Sequence, residues 1–166
     1  YFLIDFSNGV MLLTGLKAQD GWRLTYQEVS NFYMEMTVKT GTCDAGDRYG
    51  LIFRVPNKSA ADRGYLFGVT CDGKIGLRKW DGRTGVKQMT SLIVWEANDA
   101  VKSGSNQTNR LGVMADGSKL SLYVNGVKVG EVSDSSYSGG YFGVFVNAAK
   151  TSNHTIQVNE LSYWEK

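Results

Sequence analysis

The chain is short of most groups that metal and nucleophile chemistry draws on. Its 166 residues hold one histidine, His154, and two cysteines, Cys43 and Cys71. Two thiols and one distant imidazole do not make a ligand set for a metal. His154 follows Thr151-Ser152-Asn153, so it is expected to be an exposed loop residue, and no Ser-His-Asp arrangement can be built around it. Long apolar runs are missing as well. None approaches the length needed to span a bilayer, so no direct membrane insertion is expected. Charge of one sign is missing. The net charge is +2, which implies no nucleic-acid partner. There is one proline, and long Leu/Ala/Glu/Lys runs of the kind helices use are nearly absent. Paired acids are missing too. The strand-like run Phe32–Lys39 offers only Glu35, Glu96 and Asp99 fall in an expected loop, and Glu160 stands near the end. Glycoside hydrolysis needs two carboxylates facing one bond, so no catalytic residue is nominated, although a pair assembled across strands stays open.

What remains is rich in turns and rings. There are 20 glycines, and aromatic residues make up 12% of the chain. Phe32, Met34, Met36 and Val38 alternate with Tyr33, Glu35, Thr37 and Lys39, the two-residue period of a half-buried strand. Leu51, Phe53 and Val55 repeat that pattern, as do Tyr65, Phe67 and Val69. Asp72-Gly73 then marks a hairpin into Ile75–Trp80. Leu111–Ala115, Leu120–Asn125 and Val127–Val132 form a meander, followed by Gly140–Asn147 and Thr155–Trp164. Val86–Val94 is ambiguous between one strand and two. Ala97–Asn109 reads as a polar loop with one helical turn near Ala100-Val101. The sum is about twelve short strands separated by turns. The expectation is a single all-β domain over residues 1–166, a two-sheet antiparallel β-sandwich, with a closed barrel as the alternative. The abrupt apolar start at Tyr1-Phe2-Leu3-Ile4 leads us to expect a module of a larger secreted protein.

Cys43 and Cys71 lie at neighbouring ends of Tyr49–Val55 and Tyr65–Cys71 if those strands pair antiparallel. A disulfide is expected there, against the alternative of two small buried thiols. It would close a loop of about 28 residues, worth ~3–4 kcal/mol in the chain-entropy model, and it implies an oxidising, extracellular compartment. Asp44 and Asp47, with Asp62, are weak candidates for a structural calcium ion, against the alternative that they cap turns. No other cofactor is expected. Asn57-Lys58-Ser59, Asn106-Gln107-Thr108 and Asn153-His154-Thr155 are glycosylation sequons in expected loops.

Binding is the function the residue types favour. Sugars are held by aromatic faces and by planar polar groups that meet hydroxyls. Glu35, Arg54, Arg78, Trp80, Tyr123 and Asn147 each fall out of phase with the apolar set of their own strand, so they are expected to share one open sheet face. The alternative for Arg54 is an edge residue paired with Glu35.

The runs DRYGLIFR and GYLFGVTCDGKIGLRKWDG, with NRLGVMADGSKLSLYVNGVKVGEVSDSSYSGGYFGVFV, resemble the concanavalin A-like lectin/glucanase jelly roll. They are most similar to its bacterial extracellular branch of laminin-G-like, keto-disaccharide-hydrolase-like and levan-binding modules. The resemblance runs from about Trp22 to Trp164. It implies a jelly roll whose concave face binds carbohydrate, with Arg54 on that face. The Glu-x-Asp-x-x-Glu strand of the glucanases is replaced by Glu35-Met36-Thr37-Val38-Lys39, and the loop pattern of the calcium lectins is not recognisable. The leading expectation is a non-catalytic glycan-binding module, with glycan as partner. The alternatives are an adhesive domain that meets a surface protein and, third, a glycoside-processing enzyme.

Overall fold

A computed structural model describes residues Tyr1–Lys166 and contains thirteen strands. Seven form one antiparallel sheet: β1 (Phe2–Ser7), β2 (Val10–Gly15), β4 (Phe32–Thr40), β9 (Thr108–Asp116), β10 (Lys119–Val124), β11 (Val127–Ser133) and β13 (His154–Glu165). Their spatial order is β1-β2-β13-β4-β9-β10-β11. The other six are β3 (Gly21–Val29), β5 (Arg48–Val55), β6 (Arg63–Thr70), β7 (Lys74–Asp81), β8 (Gln88–Ala97) and β12 (Gly140–Asn147), in the order β3-β12-β5-β6-β7-β8. The result is a jelly-roll sandwich rather than a barrel. The ambiguous Val86–Val94 segment enters one edge strand, β8, from Gln88 onward, with Val86 in the turn before it. The residues expected to carry a helical turn form a hydrogen-bonded turn instead, in which Asn98 Oδ1 accepts from the Ala100 N–H.

The sheets meet through the inward half of each alternation. A cluster of 27 buried residues fills the space, with Phe32, Met34, Met36 and Val38 facing Tyr49, Leu51, Phe53, Tyr65 and Phe67. Phe53 packs edge-on to Phe32 at 6.0 Å between ring centroids. The alternation of period two thus decides which residues enter the core.

Arg54 breaks the alternation. Its φ is 51°, a left-handed value rare for a residue with a side chain. Between Ile52 and Val55, β5 carries one residue more than the matching span of β12, where Gly143 pairs Ile52 and Tyr141 pairs Val55. This bulge turns Val55 to the outer face and swings Arg54 away from it. The guanidinium ends 1% exposed at one end of the sandwich. It donates to the Ser30 carbonyl at 2.8 and 3.2 Å, to that of Gly117 at 2.7 Å and to that of Tyr137 at 3.2 Å. Arg54 therefore ties the two sheets together. It is neither a face residue nor a partner of Glu35, a correction to both readings of the sequence.

Cys43 and Cys71 form a disulfide, as expected. His154 does not lie exposed in a loop. It is fully buried at the start of β13, with Nδ1 3.4 Å from the Thr42 carbonyl oxygen and its ring tilted against Tyr49. Burial holds its pKa below the ordinary imidazole value.

Candidate functional site

The outward face of the six-stranded sheet is built on glycine. Trp22, Phe145, Gly50, Gly68 and Gly76 lie directly opposite one another across β3, β12, β5, β6 and β7. Glycine inside a strand often marks a close approach by another group. Here the group is aromatic. A Cβ on Gly68 would meet Phe145 Cζ at 2.6 Å, and one on Gly76 would meet Trp95 at 2.7 Å. The rings lie flat where side chains would otherwise stand. Arg78 sits between them, its guanidinium carbon 5.5 Å from the Phe145 centroid and 5.4 Å from that of Trp95.

The loop before β3 folds over this floor. Asp20 reaches Arg78, which lies on β7, four places from β3 in the sheet. Asp20 Oδ2 accepts from Arg78 Nη1 at 2.6 Å, and its Oδ1 accepts from Arg48 Nε at 3.2 Å and from Asn147 Nδ2 at 2.9 Å. Burial alone would raise the pKa of the carboxyl. The guanidiniums of Arg78 and Arg48, with the Asn147 amide, more than offset that and hold it below the ordinary carboxylate value. Asp20 is thus a fixed anion.

Above it opens a cavity of about 330 Å³ lined by Gln19, Asp20, Trp22, Arg48, Trp80 and Asn147, with Ala18 and Met89 at the margin. Three buried polar atoms here have no protein partner: Arg78 Nε, Arg78 Nη2 and Asn147 Oδ1. Buried polar groups are nearly always bonded, so such a cluster calls for an explanation.

Of the six expected ligand contacts, the structure brings together Arg78, Trp80 and Asn147. Arg54 is excluded by its burial. Glu35 and Tyr123 lie on the outward face of the other sheet, so the single shared face expected for all six is split across the molecule. Reading the sequence missed Asp20, Trp22, Arg48 and Trp95 as site residues. The signals were Asp20 two positions before Trp22, the spacing of one strand face, and the glycines inside β5, β6 and β7.

The calcium candidates are used otherwise. Asp47 is fully buried. Its carboxylate accepts backbone N–H bonds from Asp44 at 2.9 Å, Lys150 at 2.7 Å and Thr151 at 3.0 and 3.1 Å. Burial pushes its pKa up, and these bonds bring it below the ordinary value. The group clasps two loops. Asp44 is exposed and accepts from the Ala45 N–H.

Comparison with solved structures gives the same architecture. A carbohydrate binding module, CBM66, from Bacillus subtilis superposes with a TM-score of 0.75 at 18% identity, over 98% of this chain and 91% of that one. A putative glycosyl hydrolase from Parabacteroides distasonis gives 0.64 at 14% identity, over 99% and 90%. The GH43 protein BlXynB from Bacillus licheniformis gives 0.69 at 12%, over 95% of this chain and 33% of that one. At such identities the likeness establishes the fold. No curated protein sequence matches the chain. The family is shown by the sequence itself: residues 5–159 match the model of the 3-keto-alpha-glucoside-1,2-lyase-like domain, and the chain belongs to that family.

Proposed function

We propose that this protein is a non-catalytic, extracellular module that binds the hydroxyls of a glycan in the cavity over Asp20. One observation carries the reading: Asn147, whose buried Oδ1 has no partner, lines a cavity with two tryptophans, and Asp20 in the same lining holds Arg78, which has two further unbonded nitrogens. A sugar offers what that arrangement lacks. Its hydroxyls donate and accept at once, and its apolar ring face suits an indole. Arg48 and Gln19 extend the polar side, and Trp22 and Trp80 supply the flat one. The similarity to the CBM66 module supports this choice of ligand.

Asp20 is the only carboxylate lining the cavity. It is held ionised between two guanidiniums, so it is ill-suited to donate a proton, and no second acid stands across from it to share the work of hydrolysis. That supports binding over turnover. The disulfide supports an oxidising, extracellular setting. A second reading, contact with a surface protein, is favoured by the edge strand β1, where Leu3 is 59% and Phe6 70% exposed.

Titration calorimetry against a panel of neutral and acidic oligosaccharides tests the proposal. A saturable heat is expected with at least one sugar, reduced about tenfold or more in affinity by Trp80→Ala. Silence across the panel at millimolar sugar, or unchanged affinity in the variant, would overturn it.

A further inference from the structure

The outward face of the seven-stranded sheet carries its own worked surface. Trp164, Tyr33, Met114, Ser121 and Glu131 lie directly opposite one another across β13, β4, β9, β10 and β11. Four strand spacings give this row a length of roughly 19 Å. A trough of about 480 Å³ runs along it.

The aromatic end of the trough is arranged as a platform. Tyr33 stacks on Trp164 with 5.7 Å between centroids and 27° between planes, and Tyr123 meets Tyr33 edge-on at 6.1 Å. The phenol end of Tyr33 lies over Gly112, where a Cβ would come within 2.7 Å of the hydroxyl. That hydroxyl donates to Glu35 at 2.8 Å, and burial together with this bond pushes its pKa up to about 12. Tyr33 is therefore held in place. Trp164 remains 54% exposed and Met114 36%. At the other end of the same face the outward residues are Thr37, Lys39, Thr155 and Gln157, none of them aromatic. Simple cover for a sheet does not account for aromatics gathered at one end.

Charge decides what the trough accepts. Three lysines and three acids line it. Lys119 and Lys128 both pair with Glu131, and Lys166 pairs with Asp116. Ser121 donates to the same Glu131 at 2.7 Å. The lining has no net charge and no unpaired cation cluster, so it offers little to an anion. It does offer many part-exposed donors and acceptors beside flat rings. A protein partner would favour an apolar centre with few charges, and here six of the eleven lining residues are charged.

We infer that this trough is a second, separate glycan site, one that takes a segment of neutral polysaccharide lying across the strands. It does not depend on the cavity over Asp20, which is walled by different residues on the other sheet.

Affinity electrophoresis of the whole chain through gels containing xylan, mixed-linkage β-glucan, galactomannan or levan, with alginate as the anionic comparison, tests the inference. Retardation is expected in at least one neutral gel. Trp164→Ala should weaken that retardation about tenfold or more, and Met114→Glu, which leaves the core untouched, should do likewise. Trp80→Ala should leave it standing, even if the cavity over Asp20 proves to bind nothing. Four results would overturn the inference: no retardation by any neutral polymer, equal retardation of wild type and both variants, retardation by alginate alone, or a Trp164-dependent dimer in sedimentation that accounts for the shift.

Discussion

On the six-stranded sheet charge is buried and aromatic rings lie flat over glycine; on the seven-stranded sheet charge is exposed and the largest ring stands half in water. The ion pair of Asp20 and Arg78 has side chains 9% and 7% exposed, whereas Lys119 and Glu131 are 57% and 34% exposed. Burying a pair costs desolvation that only good geometry and further hydrogen bonds offset. The Asp20 cluster has the geometry, yet leaves three polar atoms unbonded. That combination suits a small ligand held in one pose. Exposed pairs contribute little to stability and cost little to rearrange. They suit a long, repetitive ligand met by many weak contacts. The two faces thus separate rigid recognition from adaptable recognition on one fold.

The sharpest way to break this comparison is to remove one charge from each face. Asp20→Asn keeps the shape but leaves Arg78, 6% exposed, without its counter-charge. We expect a loss of about 3–5 kcal/mol in urea unfolding, together with loss of sugar binding in the cavity. Glu131→Gln, on the open face, should leave the unfolding midpoint where it was. Equal effects would mean that the two faces do not differ as described. The next largest effect belongs to Arg54, which serves both sheets and neither site. Arg54→Met removes four hydrogen bonds to three carbonyls and should cost about 3 kcal/mol. Calorimetry on the molecules that stay folded should show unchanged sugar affinity.

Arg54 also shows why the sequence could be read only in part. Strict alternation identified most strands and the core, because apolar residues at every second position must be buried together. The same rule placed Arg54 outward, and one extra residue in β5 reversed it; nothing local in GLIFRV announces a bulge. Glu35 and Tyr123 failed for another reason. Alternation says which residues of a strand face outward but not to which sheet the strand belongs. Strand order arises from long-range pairing, so two outward faces merged into one. Asp20 was hidden because its role depends on side chains from β5, β7 and β12, which only long-range pairing brings to it. The in-strand glycines Gly50, Gly68 and Gly76 were the legible trace of the site, since each lies at an outward position in its strand.

Glycine offers a gentler comparison of the faces. Gly76→Ala would press against the Trp95 ring at 2.7 Å, and that ring is one wall of the Arg78 slot. A loss of about 1–2 kcal/mol is expected, as for other overpacked sites, with weaker binding in the cavity. Gly112→Ala meets the hydroxyl end of Tyr33, which would make room by giving up its part-exposed bond to Glu35. Its unfolding midpoint should move much less, and its retardation by a neutral polymer should fall without any change in cavity binding.

The smallest expected effect is on the pH profile, and its sign separates fold from site. His154 has a folded pKa below its unfolded value because burial disfavours the charged ring, an effect that the Thr42 carbonyl and Asp47 offset only in part. The unfolded chain therefore binds the extra proton first. Stability is full above about pH 6.5 and falls as the pH drops towards the folded value. Asp20 is also depressed, but from the carboxylate range. Its contribution is full above about pH 4 and is lost only as the pH falls through its lower folded value. Between these windows, urea midpoints should decline on acidification while the affinity of the folded protein for a neutral sugar stays level. His154→Gln should flatten the midpoint profile over that range and leave affinity untouched. A parallel fall in affinity from pH 7 to pH 5 would instead couple the buried imidazole to the cavity and remove the ground for treating Asp20 as a fixed anion throughout.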